Sequence, residues 1–144
     1  MTAKPLYRFP ARMDSLGPLL AHVRAASAGV EPAAVLRAET AAEELLTNSV
    51  VHGGGDDAAA PASVWLSIDA GSNVLKLRFE DAFAAFDPLP AIAQALQRTA
   101  SPMEQRPVGG LGLLMVYRLA DEFRYVRENG HNCIDLTFFG ARVR

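Results

Sequence analysis

The chain has 144 residues, of which 50% are hydrophobic and 21% charged. That size suits one domain with a sizeable apolar core and excludes the composition of a disordered chain. A net charge of −2 and a pI near 5.9 give no bulk attraction to nucleic acid or to an anionic membrane.

The single cysteine, Cys133, excludes an internal disulfide and a cysteine-based metal site. It stands among alternating residues and reads as a small buried hydrophobe. No apolar run approaches the roughly 18 residues of a membrane span. Met1 to Pro10 lack the apolar stretch of a secretory signal. The expectation is a single cytoplasmic domain over residues 1–144.

Leu6 to Phe9 predicts a short first strand, closed by Pro10. Leu16, Leu19, Leu20, Val23 and Ala26 give helical spacing over Met13 to Ala28. Asp14 or Ser15 suits its start cap, and Gly29 stops it. His22 falls on the polar face of this helix. Pro32 suits the first turn of a second helix, rich in Ala, Leu and Glu, that runs to Val51. Gly53-Gly54-Gly55 ends it.

Ser63 to Ala70 alternates, with Val64, Leu66 and Ile68 on one side. Gly71-Ser72-Asn73 is a turn, and Val74 to Phe79 alternates again, so the two runs predict an antiparallel hairpin. Asp81 to Pro90 reads as a loop, and Ala91 to Arg98 as a short helix. Thr99 to Gly110 carries Pro102, Pro107, Gly109 and Gly110 and reads as a mobile loop. Leu111 to Ala120 reads as a buried helix. Phe123 to Arg127 and Cys133 to Phe138 flank Asn129-Gly130, a strong two-residue hairpin signal, with His131 in the turn. Strands cluster in hairpins and helices must cover one face. The prediction is an α+β two-layer sandwich with a mixed, mainly antiparallel sheet.

Three segments carry candidate chemistry. On the second helix, Glu44, Asn48 and His52 are spaced by four and share a face. A carboxylate and an amide there can hold a hydrated magnesium ion and serve a proton transfer, although taken alone such a face reads first as a solvated stripe. Asp81 follows a strand, where a carboxylate can accept from an exocyclic amine or bond nearby backbone amides in a turn. Gly109, Gly110, Leu111 and Gly112 run into a helix start, where bare N–H groups and the helix dipole favour phosphate. The spacing is not that of a P-loop.

In order and spacing these segments resemble the GHKL ATPase superfamily, and within it the bacterial anti-sigma-factor serine kinases of partner-switching pathways. Glu44-Leu-Leu-Thr-Asn48-Ser-Val-Val-His52 resembles the N-box, Asp81 to Pro88 the first glycine box, and Gly109-Gly-Leu-Gly112-Leu the second. Val116 to Tyr125, Asn129-Gly130 and Asn132 resemble the subfamily's ending. The resemblance implies the GHKL (Bergerat) ATP-binding fold with ATP and Mg2+ as cofactors. It implies Asn48 as the magnesium-holding residue, Glu44 as general base and Asp81 as reader of the adenine amine. It gives the phosphates to Gly109, Gly110, Leu111 and Gly112, under a lid from about Pro90 to Gly110. The implied activity is phosphorylation of a serine in a STAS-domain antagonist by a protein that also sequesters a sigma factor or another regulator. A homodimer, with no direct nucleic-acid or membrane partner, is implied too.

One position departs from the pattern: Phe83 stands where the first box has glycine. Its ring either points into the core or flanks the base and permits ATP, or fills the pocket and leaves a nucleotide-independent partner-binding module. A GHKL-like phosphatase is a third reading, with no second domain or metal cluster in its favour.

Overall fold

A computed structural model describes residues 4–53, 62–99 and 111–141. Strand β1 (Tyr7–Pro10) leads through a short 3-10 turn (Met13–Ser15) into helix α1 (Leu16–Ala25), followed by α2 (Pro32–His52). Strands β2 (Ser63–Gly71) and β3 (Val74–Asp81) come next, then α3 (Leu89–Thr99) and α4 (Leu111–Leu119). Strands β4 (Glu122–Glu128) and β5 (His131–Phe139) close the chain. The sheet order is β1-β2-β3-β5-β4, and every pair among the described strands is antiparallel. The α+β architecture expected from the sequence is present.

Each hairpin follows from its turn. Asn129 and Gly130 both take positive φ, 53° and 78°, the geometry of a two-residue turn that matches strand twist. Ser72 and Asn73 do the same between β2 and β3. Asn73 tolerates the left-handed region, and its Oδ1 accepts from the Glu31 N–H just before α2.

Helix α2 is the central helix. Pro32 fits its first turn, where no N–H is needed. Ala34, Ala38, Ala41 and Ala42 form its buried stripe, small enough to bring the helix close to the sheet, and Leu45, Leu46 and Val50 complete it. Facing them are Leu66 of β2, Leu75, Leu77 and Phe79 of β3, and Leu136 and Phe138 of β5. Each fully buried large side chain contributes about 1.5–3 kcal/mol relative to exposure.

Arg37 locks this layer at one end. It donates to Leu119 O at 2.8 Å, to Asp121 Oδ2 at 3.2 Å and to Phe139 O at 2.8 Å. Its guanidinium also lies over the Phe138 ring, 5.7 Å from the centroid. One side chain thus joins α2 to the end of α4 and the end of β5.

The other sheet face is polar. Arg78 makes a two-pronged bond to Asp135, at 2.7 and 2.8 Å, and reaches Glu128 at 3.2 Å. These partners hold its guanidinium far above its ordinary pKa. His131 belongs to β5 rather than to the turn. Its Nδ1 bonds the buried Glu80 at 2.8 Å while its ring stacks on Trp65.

Several boundaries differ from the sequence reading. Helix α1 starts later, because Ser15 spends its hydroxyl on Pro10 O at 2.7 Å instead of capping the helix. Strand β3 extends to Asp81, since residues as far as Asp81 pair with β5. Helix α4 is not buried all round: Leu111, Met115 and Tyr117 are exposed while Leu114 and Val116 face inward. His22 is half-buried on the polar face of α1, with the Tyr7 ring against it at 4.2 Å between centroids.

Candidate functional site

Helix α2 presents Glu44 and Asn48 one turn apart, both half-buried. His52, a turn further on, is exposed, and its Nδ1 bonds Asn48 O at 2.8 Å. Helix α4 packs against this face. A Cβ added to Gly112 stands 2.7 Å from Glu44 Oε2 and 3.9 Å from Asn48 Nδ2. The glycine therefore lets the α2 carboxylate lie against the first turn of α4. A negative group is favoured there by the helix dipole.

Strand β3 delivers Asp81 to the same end of the sheet. Its Oδ1 accepts from the Phe83 N–H at 3.0 Å, the turn-forming bond that an aspartate makes two residues on. The same oxygen accepts from Asn132 Nδ2 at 2.8 Å. Asn132 faces Asp81 directly across the β3–β5 ladder and is only 6% exposed. It also donates to Ala84 O at 3.0 Å, and its Oδ1 accepts from the Phe86 N–H at 3.0 Å and the Tyr125 hydroxyl at 2.7 Å. Arg127 adds a bond to Phe83 O at 2.8 Å. The loop after β3 is thus tied to β4 and β5 by side chains.

Between these elements lies a cavity of about 420 Å³. Asn48, Asp81 and Asn132 are polar groups in its wall, set among Leu45, Phe79, Leu113, Ile134 and Pro88. An apolar slot of this volume with few convergent polar groups is the usual form of a small-molecule site. Phe83 also lines it. Its ring leans on the C-terminal end of α2, 6.1 Å from the His52 centroid, and its Cζ is 3.6 Å from a Cβ built on Gly53. The ring forms one wall and leaves the cavity open.

Of the residues singled out from the sequence, Glu44, Asn48 and Gly112 come together, and Asp81 shares the cavity wall with Asn48. Leu111 begins α4 with an exposed side chain. Gly109 and Gly110, with most of the expected lid, lie outside the described residues. Only the first part of the lid segment is described, as α3. Asn132 is the residue whose part in the site sequence reasoning missed. Its signal was a polar residue at the end of the inward stripe Ile134, Leu136 and Phe138.

An antiparallel sheet covered by helices, with a cavity between the central helix and the strand ends, defines an α+β domain with room for a small molecule. The sequence matches the family model of the histidine kinase-like ATPase domain over residues 9–138, and the chain belongs to that family. Its fold is similar to that in the crystal structure of the RsbU and RsbW domains of Rv1364c from Mycobacterium tuberculosis, with a TM-score of 0.53 and 19% identity. That match covers 94% of this chain and 32% of the other, so this chain spans only part of that protein's length. No curated relative matches the chain. Among the described residues no helix is long and apolar enough to cross a membrane.

Proposed function

We propose that the chain is an anti-sigma-type protein serine kinase that binds ATP with magnesium. It phosphorylates a serine of a STAS-domain antagonist and sequesters a regulator such as a sigma factor. The observation that carries this reading is the meeting of Glu44, Asn48 and Gly112 at the start of α4, beside a cavity whose acceptor is Asp81.

The residues fit the nucleotide. The cradle at Gly112 is one that a Cβ would fill. Among the described residues there is no cluster of three or more His, Cys, Asp or Glu side chains for a metal. That suits magnesium, which takes one or two protein ligands and completes its shell with phosphate oxygens and water. Asn48 would be that protein ligand. Magnesium-ATP supplies the transferable phosphoryl group and part of its charge neutralisation.

The chain's own residues do the rest. Asp81 accepts from the base amine within the apolar slot. By the resemblance, Gly109, Gly110, Leu111 and Gly112 would offer backbone N–H groups to the phosphates. Glu44 takes the proton of the substrate serine as its Oγ bonds to phosphorus and the ADP oxygen departs. Positioning and charge carry most of the rate.

The test is phosphoserine formation on a STAS-domain protein supplied with magnesium-ATP. Glu44→Ala is expected to lower the transfer rate by roughly 10²–10⁴-fold. Equal transfer by variant and wild type overturns the assignment of Glu44. The departure at Phe83 from the family's glycine keeps a second reading, a nucleotide-independent binding module, in which partner affinity is the same with and without magnesium-ATP.

A further inference from the structure

We infer that Asn132 is a positioning residue for base recognition: it fixes the Asp81 carboxylate so that one oxygen is reserved for a ligand's exocyclic amine. The inference rests on the nucleotide-binding reading above and concerns how this chain recognises the base.

Asp81 Oδ1 is held twice, by Asn132 Nδ2 and by the Phe83 N–H. Among the described residues Oδ2 has no hydrogen-bond partner, and Asp81 lines the cavity. A carboxylate pinned at one oxygen presents the other as a fixed acceptor without paying to order it on binding. A ligand amine satisfies that acceptor. A ligand carbonyl at the same place leaves two acceptors facing each other, unpaired and partly buried.

Asn132 is suited to the task by its own placement. It is buried, it stands in register with Asp81, and both ends of its amide are used. The donor end holds Asp81 and Ala84 O, while the acceptor end takes the Phe86 N–H and the Tyr125 hydroxyl. Those bonds fix which way the amide faces, so its N–H rather than its oxygen meets the carboxylate. They also hold the loop backbone around Phe83. Arg127 supports that loop too, but through Phe83 O and without touching Asp81.

The experiment compares ATP with purine riboside triphosphate, which keeps the triphosphate and lacks the amine. Each is titrated into the wild type, Asn132→Ala, Asn132→Leu and Arg127→Ala, with folding checked by circular dichroism. The leucine variant keeps the volume of the side chain if the alanine variant does not fold. Asn132→Ala is expected to weaken ATP by about tenfold and the amine-free nucleotide by less than about twofold. Arg127→Ala is expected to affect both nucleotides alike. Equal losses for the two nucleotides in the Asn132 variants, or no loss, overturn the inference and leave the nucleotide site standing. So does a wild type that binds both equally. A wild type that binds neither overturns the nucleotide reading and the inference with it.

Discussion

The Cα of Gly112 sits so close to the Glu44 carboxylate that an added Cβ stands 2.7 Å from Glu44 Oε2. Two residues from separate helices therefore share one small volume at the heart of the candidate site. The obstructed atom is the far end of a flexible side chain, so the fold can yield by turning Glu44 away. Gly112→Ala is thus expected to leave stability unchanged or raise it by up to about 1 kcal/mol, since alanine is the better helix former. Phosphotransfer is expected to fall at least about tenfold, because a displaced base loses its geometry. Thermal unfolding and a transfer assay on one preparation check both directions.

Arg37 and Asp121 make the second test. Their side chains are 16% and 10% exposed, and the arginine also serves two backbone carbonyls. Arg37→Ala takes a donor from both carbonyls and the charge partner from Asp121, whose Oδ2 still accepts from the Phe139 N–H. The expected loss is about 3 kcal/mol, read from urea unfolding with an unchanged slope. A loss below about 0.5 kcal/mol is the value of an exposed surface pair and contradicts the clamp.

The third prediction concerns pH. Burial lowers the pKa of His22 below its ordinary value of 6.5. The unfolded chain therefore binds more protons than the folded one in the window just below 6.5. Stability contributed by the neutral ring is present above 6.5 and is lost as pH falls through the folded pKa. The stability advantage of wild type over His22→Gln is expected to shrink between about pH 7.5 and about pH 5. An advantage that is flat or grows on acidification contradicts the packing of His22 under Tyr7.

Cys133 provides a fourth. It is 1% exposed, and burial, with the nearby Glu80 charge, pushes its thiol pKa up. Its thiolate fraction at mildly alkaline pH is below that of a free cysteine. A thiol reagent is expected to label it only at the rate of unfolding, with full labelling in urea. Fast labelling of the folded protein contradicts the burial.

Much of this was legible in the sequence because it is local. Pro32 and Gly53 bracket α2, Asn129-Gly130 makes the last hairpin, and the spacing of Glu44 and Asn48 fixes them on one face. Contacts between distant elements were not legible. Nothing in the spacing says that Gly112 meets Glu44, or that Tyr7 covers His22. Leu111 to Ala120 is apolar on most sides, yet α4 packs one side against α2 and another against α3 and leaves Met115 and Tyr117 exposed. In the sequence Asn132 stands out only as part of the segment that resembles the subfamily's ending, and only the β3–β5 register sets it opposite Asp81. The effect of Phe83 turned on where its ring points, a tertiary property: it leans towards His52.

The most direct measurement is calorimetric titration of magnesium-ATP into the wild type and Phe83→Gly. The account predicts micromolar binding by the wild type, about −8 kcal/mol, changed less than about threefold by the glycine because the ring is a wall and not a plug. No binding by the wild type, with binding gained in Phe83→Gly, contradicts it and makes the protein a partner-binding module whose nucleotide cavity is closed.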